Sequence, residues 1–325
     1  MAGQTVLVTG GCGFIGTWIL RRLLDDGDTP VVFDVARVTK RWEMLLSPAE
    51  IERVEFHAAR VDEDAFATAV IARKPDALIH LAGLQVPACR ENPVAGARVN
   101  VLGTLNLFEA AKALKAARGT APGLVYASSA AVFGADSDYD EKSLGNEAQP
   151  KPNSHYGAYK LCNENCAKAY WLANQVPSVG LRPLTVYGPG RDTGMTSFPT
   201  RALAAAVKGQ SFDIPFSGPT AYLHARECAD MFVQCARGTQ AGAKVYTVGG
   251  EIADSRAFIR VANQIIPGAE KLITCSGGDL PVASKMDDAA LRTDFPKLVR
   301  IGLKQGIEET VAKFKELEKA GTLTV

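Results

Sequence analysis

Apolar positions in the first 180 or so residues come in two lengths. Short runs occur at Thr5–Val8, Pro30–Phe33, Val54–His57, Ala77–Leu81, Leu124–Ala127 and Val179–Arg182. Between them lie longer amphipathic stretches, such as Ile15–Leu24, Asp64–Ala72, Val99–Ala117 and Tyr156–Asn174. Strand-like runs alternating with helix-like ones predict an α/β fold with a doubly wound parallel sheet and right-handed crossovers.

Beyond Pro183 the alternation loosens. Tyr187–Gly190 reads as a turn, Pro199–Lys208 as an alanine-rich helix, and Phe212–Pro219 as loop with a short strand. Ala225–Ala236 reads as a helix and Lys244–Val248 as a further sheet strand closed by Gly249-Gly250, while Gly306–Lys319 forms a charged terminal helix. The pattern divides the chain into a nucleotide-binding part, residues 1–187 and 222–250, and a smaller C-terminal substrate lobe, residues 188–221 and 251–325. That lobe is expected to cover the carboxyl edge of the sheet.

The junction of the first strand and helix carries the strongest chemical signal. Gly10-Gly11-Cys12-Gly13-Phe14-Ile15-Gly16 follows Thr5–Val8 and opens a helix. Glycines permit the tight turn, and Gly16 allows close packing of helix on strand. Unpaired N–H groups and the helix dipole then attract a pyrophosphate. The next strand ends at Asp34, 24 residues after Gly10, where a ribose-binding carboxylate is expected. A carboxylate there favours NAD over NADP.

A second signal is Tyr156-Gly157-Ala158-Tyr159-Lys160 at the start of a predicted helix. Four residues apart, Tyr156 and Lys160 project from one face. An ammonium beside a phenol is expected to lower its pKa toward neutrality and make it a usable base. Ser128-Ser129 stands at the end of the fifth strand, where ligands of doubly wound sheets bind.

Composition narrows the partners. The 325 residues are 47% apolar and 22% charged with a net charge of +1, which argues against nucleic acid or an anionic membrane. No apolar run reaches a membrane-spanning length, and the lack of an apolar leader favours the cytoplasm. Seven cysteines without a CxxC pair read as reduced thiols, and four scattered histidines give no metal-ligand spacing.

Together these motifs, with His80–Gly83, Asn100, Arg182-Pro183, Val186–Pro189 and Gly302–Ile307, resemble the extended short-chain dehydrogenase/reductase family of NAD-dependent epimerases and dehydratases. The resemblance implies a Rossmann sheet with NAD as cofactor and a homodimer formed through Val99–Ala117 and Tyr156–Asn174. It implies that Tyr156 is the acid/base, that Lys160 tunes it and grips the nicotinamide ribose, and that Ser129 holds the reacting oxygen. Gly10, Gly13, Phe14, Ile15, Gly16, Asp34, Leu81, Ala82, Gly83, Asn100, Pro183 and Leu184 would contact the cofactor. Gln85 and Thr185 would face the substrate.

Two departures matter. Arg60, followed by Val61, stands where the family usually places an adenine-binding aspartate. Relatives acting on nucleotide sugars carry an arginine-aspartate pair where this chain has Thr220-Ala221, ahead of Tyr222-Leu223-His224. Without that guanidinium a diphosphate tether is not expected, and Arg191 becomes a candidate for a sugar or sugar-acid group. The expected reaction is NAD-dependent hydride transfer at a secondary alcohol of a small polyhydroxylated substrate. The alternatives are nucleotide-sugar 4-epimerisation, with a clamp built elsewhere, and a cofactor-sensing protein without turnover.

Overall fold

A computed structural model describes residues 3–141 and 143–325. Seven parallel strands form the central sheet: β1 (Thr5–Thr9), β2 (Thr29–Asp34), β3 (Glu55–Ala58), β4 (Ala77–His80), β5 (Gly123–Ala127), β6 (Ser178–Arg182) and β10 (Ala243–Thr247). Their spatial order is β10-β6-β5-β4-β1-β2-β3. The order reverses between β1 and β4, so loops leaving those two strands diverge and open a crevice at their carboxyl ends. The strand starts agree with the sequence pattern to within a residue or two.

Helices cover both faces. Phe14–Asp25 and Ala225–Arg237 pack on one side and share an apolar core with Val6, Val8, Val32 and Ile79. Ala65–Arg73 and Gly103–Arg118 pack on the other, where Leu7, Val31, Leu78 and Leu124 point. Alternate residues of β1 thus enter opposite cores, as a strand's two-residue side-chain period requires. Gly103–Arg118 is preceded by a wider turn, Arg98–Leu102, hydrogen-bonded with π spacing, so the expected helix from Val99 starts irregularly.

Apart from the short strand expected within Phe212–Pro219, the second lobe holds strands the apolar pattern did not resolve. A three-stranded sheet joins β7 (Thr185–Tyr187), β9 (Pro219–His224) and β11 (Glu251–Asp254) in the order β11-β9-β7. A two-stranded one pairs β8 (Phe212–Ile214) with β12 (Ile273–Cys275). Helices Phe198–Val207, Ser255–Ile265 and Leu303–Lys319 close a separate apolar core around Tyr187, Tyr222 and Phe258. The small sheet therefore begins at Thr185 and reclaims Pro219–His224. Pro219–His224 crosses the boundary read at 221/222, and Thr185–Tyr187 falls on the nucleotide-binding side of the one read at 187/188. Among the described residues no helix is long and apolar enough to cross a membrane.

Candidate active site

A cavity of about 880 Å³ runs along the carboxyl ends of the central strands, beneath the second lobe. One end is built by the glycine turn. Gly10 has φ +69°, and a side chain there would meet the Ala82 backbone at 2.9 Å. A side chain at Gly16 would lie 2.6 Å from Gly10 O, so the helix could not sit this close to the turn. The Phe14–Asp25 helix starts at Gly13 with no side-chain cap, leaving its first N–H groups free beside the cavity.

Asp34 closes this end. Its carboxylate accepts from Cys12 N–H at 3.0 Å and Val35 N–H at 2.8 Å, which fixes it against the turn. Arg60 and Val61 also line the cavity. Arg60 donates to Asp62 at 2.9 Å, and Asp62 lines the wall as well, so an acid does stand at the far end, two residues after the arginine. Arg37 lies off the wall, reaching Ile51 O.

Leu81, Ala82 and Gly83 form the floor, with Pro183 and Leu184 further along. Ser129, Tyr156, Lys160, Gln85 and Arg191 converge at the opposite end from Asp34. Ser129 Oγ accepts from Ala131 N–H at 3.1 Å as an N-cap, so its proton is free for another acceptor. The Tyr156 hydroxyl lines the same part of the cavity and is the group that this proton can stabilise when ionised. Ser154 caps the His155–Asn174 helix that presents Tyr156 and Lys160, accepting from Gly157 N–H at 3.1 Å.

Electrostatics depart from expectation. Burial pushes the Tyr156 phenol above its ordinary range, opposed by the Ser129 hydrogen bond and the Arg191 charge. The sequence predicts the reverse, a phenol made acidic by Lys160. Lys160 Nζ lies 5.5 Å from the Tyr156 ring centre and donates instead to Ala127 O at 2.7 Å. Its own pKa falls from 10.5 to about 8, chiefly through burial, with Cys89 and Glu164 opposing.

The same shift couples stability to pH. Between about pH 8 and 10.5 the unfolded chain keeps a proton on Lys160 that the folded protein has released. Stability rises with pH wherever the unfolded state binds more protons. The stability of the cofactor-free protein relative to its Lys160→Met variant is therefore expected to be flat below about pH 8. It should increase from there toward pH 10.5. Urea midpoints of the two proteins across that range check this.

Two expected site residues lie elsewhere. Asn100 is not on the cavity wall. Its Nδ2 donates to Leu84 O at 3.1 Å and Gly96 O at 3.0 Å, so it braces the loop after β4 from behind. A side chain at Gly83 would come within 2.6 Å of Asn100 Oδ1 and 3.6 Å of Lys160 Nζ, so both groups pack close to that glycine, Lys160 on the cavity wall and Asn100 off it. Thr185 does not face the substrate end. It is fully buried, and its hydroxyl pairs with that of Thr220 at 2.7 Å.

Arg41 belongs to the site and gives no sequence signal, being one basic residue in a polar stretch. Its guanidinium joins Cys12 O, Gly190 O and Asp192, tying the glycine turn to the loop after β7. Arg226, just after the Thr220–His224 segment, is occupied by a two-point pair with Glu309 and is not free to replace the missing guanidinium. Uncapped amides and a carboxylate at one end, with a Ser-Tyr-Lys cluster at the other, suit a dinucleotide whose reactive end meets a proton donor or acceptor.

Comparison with known proteins agrees with this geometry. The sequence model of the NAD dependent epimerase/dehydratase family matches residues 6–249. A UDP-glucose 4-epimerase of Mycolicibacterium smegmatis is 30% identical over 318 residues, covering 95% of this chain and 98% of its own. The Thermus thermophilus UDP-glucose 4-epimerase, solved in complex with NAD, superposes with a TM-score of 0.79 at 24% identity, over 96% of this chain and 99% of that one. L-threonine dehydrogenase from Clostridium difficile superposes with a TM-score of 0.82 at 16% identity, over 100% of both chains. At such identities the structural likeness is one of fold. The chain belongs to the NAD-dependent epimerase/dehydratase family, of the extended short-chain dehydrogenase/reductase type, and is an NAD-dependent enzyme.

Proposed function

We propose that the protein oxidises a secondary alcohol of a small polyhydroxylated substrate, with Ser129, Tyr156 and Lys160 as its catalytic set. The cradle fits the coenzyme. The uncapped amides of Phe14 and Ile15 would hold the pyrophosphate, with Gly10 and Gly16 letting the turn fold tightly enough to present them. Asp34 would take the adenosine ribose hydroxyls. Leu81, Ala82, Gly83, Pro183 and Leu184 would flank the remainder. When bound, NAD would supply the hydride acceptor for the substrate carbon. The alcohol proton would pass to the Tyr156 oxygen once that phenol is ionised, while Ser129 orients the reacting oxygen by hydrogen bond.

One observation carries the choice of a small substrate. At the position where nucleotide-sugar relatives are expected to hold an arginine, Thr220 is buried and paired with Thr185. A guanidinium fork grips a diphosphate at two points, and two hydroxyls engaged with one another offer neither charge nor fork. Remote binding energy of that kind retains a ketone during epimerisation. Without it, the oxidised product is freer to leave and net dehydrogenation results.

A second reading, a nucleotide-sugar 4-epimerase, is favoured by the near full-length similarity to the Mycolicibacterium smegmatis UDP-glucose 4-epimerase. Incubation with NAD and two substrate panels separates the readings. Accumulating NADH with sugars or sugar acids is the expected result. Interconversion of UDP-glucose and UDP-galactose without net NADH would replace the first reading by the second.

A further inference from the structure

Within the proposed small-substrate reading, on which this inference rests, we infer that Arg191 forms a carboxylate-binding subsite and that the substrate is a polyhydroxy acid.

Arg191 follows the turn after β7, in which Gly188 and Gly190 have φ +137° and +91°. Its guanidinium comes back over the Phe14 ring, 5.6 Å from the ring centre, and lines the cavity. Nη2 donates to Thr196 Oγ1 at 3.0 Å. Nε is buried and has no partner among the described residues. A buried donor left unpaired costs free energy that a ligand atom can restore.

Nor is the charge neutralised within the protein. The adjacent carboxylate, Asp192, points outward and is held by Arg41 Nη2 at 2.6 Å. No acidic group of the described residues lies within ion-pair distance of Arg191. Burial disfavours the protonated guanidinium here, and the charge nonetheless acts on the Tyr156 hydroxyl. An unpaired cation beside the acid/base is a site for an anion on the molecule being oxidised.

Its neighbours fix the kind of anion. Gly194, at φ +91°, packs where a side chain would collide with Gln85 Oε1 and come within 3.2 Å of Arg191 Nη2. The glycine thereby brings an amide oxygen next to the guanidinium. An acceptor flanking a donor fork suits a carboxylate with a neighbouring hydroxyl, as in an aldonic or uronic acid. A diphosphate would call for a second cation at this end. Arg41 also lines the cavity beside Arg191, but its guanidinium is taken up by Asp192, Gly190 O and Cys12 O, and Lys160 is turned to Ala127 O. Among the described residues, Arg191 is thus left as the cation with a free donor. The coenzyme's phosphates have the helix amides of Phe14 and Ile15.

The test is binding, so that it stands apart from turnover. NADH-saturated protein, which cannot accept a hydride, is titrated calorimetrically with four- to six-carbon aldonic and uronic acids and with their neutral sugar or alditol counterparts, alongside UDP-glucose. At least one acid is expected to bind tighter than its neutral counterpart by about ten- to a hundredfold. Arg191→Met should erase that preference while leaving NAD affinity within about threefold, a change too small for a lost charge-assisted hydrogen bond. Arg191→Lys, which keeps charge without the fork, should fall between the two.

Acids bound no better than neutral analogues would overturn the proposal, as would an unchanged preference in Arg191→Met. A tenfold loss of NAD affinity in that variant would assign the guanidinium to the coenzyme's phosphates instead, and Arg191-dependent binding of UDP-glucose would assign it to a substrate diphosphate. If acids bind as expected and yield neither NADH nor isomer, the subsite stands and the oxidoreductase reading fails.

Discussion

Tyr156→Phe is expected to slow NAD-dependent conversion by about 10²–10⁴-fold, the range that positioned proton transfer contributes. NAD affinity should stay close to that of the parent. The substitution removes one oxygen from a side chain that lines the cavity beside Ser129 and leaves the ring that packs there. Burial holds this phenol protonated above its ordinary range. The free protein is therefore set to donate a proton, as ketone reduction needs, rather than to accept one. In the oxidative direction kcat/KM should rise with pH until the phenol ionises, and the variant should lose that dependence. Stopped-flow measurement of NADH formation and of ketone reduction across the pH range checks both. A variant matching its parent in both directions would mean that the proton moves through another group.

What is legible in the sequence is what depends on neighbours in the chain. The glycine turn, Asp34 and the Tyr156/Lys160 spacing are local, and backbone geometry at each follows from a few adjacent residues. The order of strands follows from alternation and the handedness of crossovers. What stays hidden depends on contacts between distant segments. Thr185 reads as a residue that could face a substrate, and only its pairing with Thr220, 35 residues on, turns it inward. Arg41 enters the site because it reaches Gly190 and Asp192, about 150 residues away. The phenol's ionisation escapes the sequence for a related reason. Spacing on a helix fixes which face a lysine shares, whereas the burial that dominates the shift is a property of the closed cavity.

Glu164→Gln is expected to lower the free energy of unfolding by about 3–5 kcal/mol, since it breaks one side of a buried ion pair. Glu164 and Arg182 have side chains only 6% exposed. The guanidinium meets the carboxylate at two points, Nε to Oε1 at 2.8 Å and Nη2 to Oε2 at 2.6 Å. Ser128 Oγ donates to the same carboxylate at 2.5 Å, and Arg182 also donates to Asn146 O at 3.2 Å. An amide in place of the carboxylate leaves Arg182 as an uncompensated buried cation over the Phe133 ring. Against a typical total of about 5–15 kcal/mol, that loss is large and should appear as a marked drop in urea midpoint. The double variant Glu164→Leu/Arg182→Met should recover most of it, because apolar replacement of both partners leaves no charge to desolvate. The pair links β6 to the His155–Asn174 helix one turn beyond Lys160, and Ser128 adjoins Ser129. Recovered stability in the double variant should therefore come with a reduced kcat, as Ser129 and Lys160 lose the brace that fixes one against the other. A double variant restored in both stability and rate would show that the pair contributes nothing to the catalytic geometry.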